Sequence, residues 1–249
     1  MAIRGFGRAS PGKAARGHCA SSTSAGSSPR RWTFTAGCSG SGRVAGPVRI
    51  RRAKPGDSAG LAALHCREIP WGLLAQLGVE FVTLFYQTLV VSPLGFAFVA
   101  EGEGGLVGFA GGVVRWRPFY VEFLRRHVIA AARAVVASLR RARWRRLLET
   151  TRYAASAALP PAELVAIAVA PEARGGGVAG DLVRHVLEEF ARRGVGAVRV
   201  TAGPDNVRAG RLYEKLGFRL HAQVEIHPGQ RAPVYVIALP AAAPPIAVS

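Results

Sequence analysis

Glu163-Leu-Val-Ala-Ile-Ala-Val-Ala170, followed by Pro171-Glu-Ala-Arg174-Gly-Gly-Gly177-Val-Ala179-Gly180-Asp181, is the stretch that decides the fold. Leu164 to Ala170 is a short, unbroken apolar run, as expected of a strand buried on both faces. Pro171 stops it. After the three glycines, Leu182, Val183, Val186, Leu187 and Phe190 recur at helical spacing, which predicts a helix over Asp181–Arg193. Glycines just before a helix let a ligand approach the backbone and leave the first N–H groups free. Those donors, with the positive end of the helix dipole, suit an anion such as a phosphate or pyrophosphate.

Two common phosphate loops fit poorly. No Gly-Lys-Ser/Thr closes the loop, so the Walker pattern is absent. Gly175, Gly177 and Gly180 satisfy G-x-G-x-x-G, but a dinucleotide fold places that pattern early in a long βαβ series, with an acidic residue about 20 positions on. Here only about 70 residues remain, and the next predicted strand, Ala197–Ala202, carries no carboxylate.

Further on stands Asn206-Val-Arg-Ala209-Gly-Arg-Leu-Tyr213-Glu-Lys-Leu-Gly217-Phe218. This segment, together with Arg174-Gly-Gly-Gly177-Val-Ala179, resembles the acyl-CoA-dependent N-acetyltransferases of the GNAT superfamily. The family elements are Arg/Gln-x-x-Gly-x-Gly/Ala and Asn-x-x-Ala-x-x-x-Tyr-x-x-x-Gly-Phe, in this order. The resemblance extends more loosely from about Val48 to Leu239. It implies an α/β fold with a mixed, twisted sheet flanked by helices. It also implies transfer of an acetyl or other short acyl group from acetyl-CoA to a primary amine by direct attack, without a metal.

The resemblance also implies site residues. Amides of Gly175, Gly176, Gly177, Val178, Ala179 and Gly180 would hold the pyrophosphate, with Arg174 beside it. Ile167, Ala168 and Val169 would pair with the pantetheine arm where strands splay apart, and the N–H of Ile167 or Val169 would polarise the thioester. Asn206 would cap its own helix and reach the CoA arm. Tyr213 would donate a proton to the departing thiolate, and Glu163, at the head of the motif strand, would take one from the amine, directly or through water. A solvated strand-end glutamate and a water chain stand as the alternative for Glu163.

Composition sets the organisation. The chain has 249 residues and a formal net charge of +18. Residues 1–47 contain no Asp or Glu and are rich in Ser, Gly, Ala and Arg, a composition that reads as disordered. A transit peptide, or a translation start near Val48, are the other expectations for that segment. One domain is expected over residues 48–240, and the Pro/Ala tail at 241–249 carries no folding signal. Cys19, Cys38 and Cys66 have no paired spacing, which argues against a disulfide framework or metal site. No apolar stretch reaches the roughly 20 residues of a membrane span. The expected location is cytoplasmic, and dimerisation is a family habit that the resemblance carries over only as an option.

In the first half, Val48–Ala53 alternates as a half-buried strand, and Asp57 is a candidate N-cap for a helix over Ser58–Arg67. A second helix is predicted from Leu73 to Leu89, then strands Gly95–Glu101 and Leu106–Val114 joined by a glycine turn. Gly108, Gly111 and Gly112 suggest a bulge or close backbone approach. The resemblance makes the two helices and their loop the acceptor wall, with His65, Glu68 and Trp71 as candidate contacts.

The resemblance also exposes an insertion. Arg115–Arg152 carries eleven arginines against Glu122 and Glu149, half of the net charge, among apolar residues such as Phe119, Phe123, Leu124 and Ile129 at helical spacing. It is expected to form one or two amphipathic helices. They could cap the cleft, bind an anionic acceptor or acidic partner, or lie on an anionic membrane surface, in that order. The rival function is a catalytically silent module that binds nucleic acid or an acidic protein through this segment. No nucleic-acid motif accompanies the charge.

Overall fold

A computed structural model describes residues 47–70, 72–129, 132, 159–227 and 230–240. The N-terminal extension, Trp71, most of the basic insertion beyond Ile129 and the Pro/Ala tail lie outside the described residues.

Among the described residues, seven strands form one sheet in the order β1-β2-β3-β4-β5-β7-β6. They are β1 (Arg49–Arg52), β2 (Gly95–Gly102), β3 (Gly105–Val113), β4 (Ala162–Val169), β5 (Ala197–Thr201), β6 (Arg219–His227) and β7 (Gln230–Ala238). Among the described strands, only β4 and β5 run parallel. The helices are α1 (Ser58–Glu68), α2 (Leu73–Gln76), α3 (Val79–Val91), α4 (Trp116–Arg126), α5 (Val178–Arg192) and α6 (Val207–Lys215). The mixed α/β architecture anticipated from the sequence is the one observed.

The glycines of β3 explain how helices reach both faces of the sheet. A Cβ on Gly111 would stand 2.9 Å from Leu89 of α3. On Gly112 it would stand 2.6 Å from Phe96 and 2.8 Å from Phe190 of α5. Real side chains keep larger separations, so α3 and α5 lie close to the sheet only because these positions lack a Cβ. The predicted bulge is also present, between Gly111 and Gly112, where Val165 of β4 is left over in the register.

Three sequence expectations need correction. The helix predicted from Leu73 to Leu89 is two, because Gly78 takes a φ of 97°, a left-handed conformation that breaks the run between α2 and α3. Asp57 does not cap α1. It has helical φ/ψ itself, and its carboxylate accepts from the Lys54 N–H at 2.7 Å and pairs with Arg51. The helix after the glycine loop begins at Val178, three residues before Asp181.

The described part of the basic insertion is helical. Phe119 and Phe123 of α4 are buried, edge-on to Phe85 of α3. Ser92 donates to Glu122 at 2.6 Å, and Thr88 and His127 are 3.0 Å apart, so polar contacts fix the same face. Ile129, expected on the apolar face, is 73% exposed. At the far end of α5, Glu189 takes Arg192, Arg193 and Arg52, which hold its carboxyl down at about 2 and tie the helix to β1.

Candidate active site

The site begins where two strands part company. β4 pairs with β5 only through Ala162–Leu164 against Val198–Val200. Past Leu164, β4 keeps its ladder to β3, while β5 keeps its ladder to β7 through Thr201. The bulge at Val165 falls at the point of separation, and an extra residue on one strand sharpens its local twist. Among the described residues, β4 has no strand on its β5 side from Val165 onward.

Ladder alternation decides which groups face that opening. The Ala170 N–H donates to the Val107 carbonyl of β3 at 2.8 Å, in register with Gly108 opposite Val169. Ala168 therefore spends its backbone groups on β3, and Ile167 and Val169 point theirs to the opening. The Val169 carbonyl confirms the direction, since the Arg174 Nε donates to it at 2.9 Å.

At the end of β4 a 3₁₀ turn, Pro171–Ala173, leads into the glycine loop. Gly175 and Gly177 have φ of 88° and 84°, a region costly for any residue with a Cβ. Among the described residues, no atom lies within 4 Å of a Cβ built on Gly175 or Gly176, and on Gly177 only the Asp181 carboxylate does, at 3.9 Å. The loop therefore borders open space. The first intrahelical bond of α5 runs from the Asp181 N–H to the Gly177 carbonyl, which leaves the amides before it free.

On the other flank, α6 closes towards the loop, with Leu212 4.0 Å from a Cβ on Gly180. Asn206 caps α6 as expected, its Oδ1 accepting the Ala209 N–H at 3.1 Å. Tyr213 is 3% exposed and held between the rings of Phe218 and Tyr235, at 5.6 Å and 5.9 Å. Burial, helped by Tyr235, pushes its hydroxyl well above the usual tyrosine range, so it keeps its proton.

Glu163 is not a solvated strand-end residue. It faces Arg199 across β4 and β5, and Arg199 gives it both Nε (3.1 Å) and Nη2 (2.8 Å). Both donors land on Oε2. Oε1 takes no hydrogen bond from the described residues, and the side chain keeps 13% exposure. Burial pushes the carboxyl up, against the pull of Arg199. Replacing Glu163 by Gln removes the counter-charge of a guanidinium that is 2% exposed. A broken buried pair costs about 3 kcal/mol, so Glu163→Gln is expected to lower the melting temperature by several degrees in a thermal scan.

Arg174 is engaged rather than free. Besides the Val169 carbonyl, it pairs with Glu68 of α1 at 2.6 Å, and Glu68 also takes Arg67. This brace joins α1 to the root of the glycine loop. Sequence inspection missed it, because the two residues lie 106 positions apart. The β4 edge thus runs into the glycine loop, Glu163 lies on the same strand just before it parts from β5, and α6, which carries Tyr213 behind the Asn206 cap, approaches the loop through Leu212. Trp71 lies outside the described residues. No group of His, Cys, Asp and Glu among the described residues could hold a metal ion, and no described helix is long and apolar enough to cross a membrane.

Comparison with known proteins agrees with this fold. Among solved structures, the acetyltransferase yncA of Salmonella typhimurium, determined with its cofactor acetyl-CoA, is 18% identical. The match spans 80% of this chain and 98% of that one at a TM-score of 0.52. A GNAT-family acetyltransferase of Streptococcus pneumoniae is 17% identical over 78% of this chain and 100% of its own, TM-score 0.50. An N-acetyltransferase of Staphylococcus aureus Mu50 is 16% identical over 78% and 99%, also at 0.50. These likenesses establish a shared fold. No curated protein matches the chain. The family model described as "Acetyltransferase (GNAT) family" matches residues 64–218, more than half of the chain, from the second half of α1 to the end of the Tyr213 element. On that match, the chain belongs to the GNAT acetyltransferase family and is an acyltransferase.

Proposed function

We infer that the protein is an N-acetyltransferase that moves an acetyl or other short acyl group from acetyl-CoA to a primary amine by direct attack. The observation that carries this is the unpaired β4 edge running straight into an open glycine loop. An extended amide-bearing arm needs the first and a pyrophosphate needs the second. Acetyl-CoA would supply a thioester carbonyl open to attack by an amine, with a thiolate as leaving group.

The residues divide the work as follows. The amides of Gly175 to Gly180 hold the pyrophosphate, with the α5 dipole adding to their pull. The N–H groups of Ile167 and Val169 hold the arm and the carbonyl oxygen. Arg174 acts as a brace, its side chain being occupied by Val169 and Glu68. Glu163 takes the proton of the attacking amine on Oε1. Support comes from the raised carboxyl and from Arg199 leaving that oxygen unbonded by any described residue. Tyr213 donates to the thiolate. Because its proton is held tightly, its contribution is a strong hydrogen bond at the moment of departure more than a ready proton.

The test is calorimetric titration of acetyl-CoA into the full chain, followed by thiol release from acetyl-CoA against a panel of primary amines. Micromolar binding and amine-dependent release are expected. Absence of binding would overturn the function, and binding without release by any amine would leave only a CoA-binding module.

A further inference from the structure

The last turn of α1 holds a polar atom that the reaction so far does not use. His65 is 4% exposed and faces Phe109 of β3, ring centroids 6.3 Å apart and nearly parallel. Its Nδ1 lies 2.7 Å from the hydroxyl of Tyr86 on α3. Its Nε2 is buried and has no hydrogen-bond partner among the described residues, the one buried side-chain nitrogen or oxygen there in that condition. An unsatisfied buried donor or acceptor costs about 1–3 kcal/mol.

The tautomer follows from Tyr86. That residue is fully buried, and burial, with a smaller contribution from Cys66, holds its hydroxyl well above the usual range. Its proton therefore stays on. His65 Nδ1 is the acceptor for that proton among the described residues. The opposite arrangement would leave both the Tyr86 proton and the Nε2 lone pair unsatisfied. Tyr86 thus donates to Nδ1, and the hydrogen of the neutral imidazole sits on Nε2. Burial also holds the imidazole at about 4, so it is uncharged at neutral pH.

The surroundings say which ligand this N–H would meet. A Cβ on Gly72 would lie 3.8 Å from Nε2, so the edge of the imidazole that carries this hydrogen is turned to the α1–α2 loop, where Gly72 has no side chain to cover it. Phe109, beneath His65, is the β3 partner of Ala168, between the two residues that face the opening. One turn along α1, Glu68 grips Arg174 at the root of the glycine loop. An uncharged, rigidly held donor selects a hydrogen-bond acceptor and gives nothing to an alkylammonium.

We propose that His65, fixed by Tyr86, reads the acceptor: its Nε2–H binds an oxygen that the substrate carries near its amine. The preferred class is then amines bearing a carbonyl, carboxamide or hydroxyl rather than plain alkylamines. The proposal rests on the acetyltransferase function above. A site built to hydrogen-bond an oxygen rejects an analogue lacking it far more strongly than an apolar pocket rejects a missing methylene.

Matched amines test it on the full chain: phenylalaninamide against phenethylamine, and leucinamide against isoamylamine, each as kcat/KM at saturating acetyl-CoA. The wild type is expected to favour the carboxamide of each pair by at least about tenfold, mostly through KM. His65→Phe, which fills the same aromatic niche, should bring the pairs within about twofold while leaving acetyl-CoA affinity unchanged. Gly72→Ala, which leaves the imidazole in place but adds a methyl beside Nε2, should erode the preference in the same direction and guards against a folding defect in the first variant. Equal rates for the pairs in the wild type, or a preference that survives in folded His65→Phe, would overturn the assignment while acetyl transfer stands. Failure to bind acetyl-CoA would instead overturn the function and this assignment with it.

Discussion

Gly177→Glu is expected to abolish measurable acetyl-CoA binding while the protein remains folded. Gly177 sits at φ 84° directly before Val178 opens α5. A residue with a Cβ costs about 1–2 kcal/mol in that region. The added carboxylate would occupy the open space in front of the free amides, where the pyrophosphate belongs. Two like charges about 4 Å apart at an effective dielectric near 20 repel by about 4 kcal/mol. Each 1.4 kcal/mol is a factor of ten, so a loss of at least 100-fold in Kd is the expected calorimetric result. Stability moves much less, because an acidic residue at a helix start recovers about 0.3–1 kcal/mol and the Asp181 carboxylate, at 3.9 Å, is the one side chain near the position among the described residues. A variant that unfolds early in a thermal scan is therefore not expected. Unchanged binding in folded protein would remove the glycine loop as the phosphate site.

Tyr213→Phe should separate chemistry from binding. The ring is held by Phe218 and Tyr235 on one side of α6, and Phe keeps those contacts. Only the hydroxyl is lost. If it steadies the thiolate as it leaves, the interaction exists in the transition state and hardly before, so kcat falls while affinity does not. A fall of about 10- to 100-fold in kcat is expected, at the low end for acid–base groups, because the hydroxyl keeps its proton so firmly. The acetyl-CoA Kd should stay within about twofold. Unchanged turnover, measured under conditions where chemistry limits the rate, would remove Tyr213 from the mechanism. Tyr235 would then be the next hydroxyl to examine, since its oxygen stands 2.6 Å from a Cβ position on Gly210 of the same helix.

Glu163 shows the limit of sequence patterns most plainly. Its position at the head of a buried strand made it a candidate base, with a solvated residue as the alternative. The fold gives a third situation, in which Arg199, 36 positions on, occupies one oxygen and leaves the other. Arg174 is similar: its motif suggested a place beside the phosphates, and the fold adds a brace from its guanidinium to Glu68 of α1 and the Val169 carbonyl of β4. Both pairings join residues on different elements, and no local pattern encodes them.

What the chain determined by itself is local. A seven-residue apolar run, a proline, three glycines and a helical repeat specify strand, stop, loop and helix through backbone sterics and burial alone, and Asn206 specifies its cap. The sheet's glycines likewise announced close approach. What only the tertiary structure decided is the opening itself. β4 and β5 part after Leu164 because each continues with a different neighbour, and the bulge at Val165 turns β4 away. The donor left on His65 depends on Tyr86, 21 positions away on another helix. Hydrogen-bond partners between distant segments are chosen by packing, and packing is a property of the assembled sheet and helices, which period and spacing along one chain do not contain.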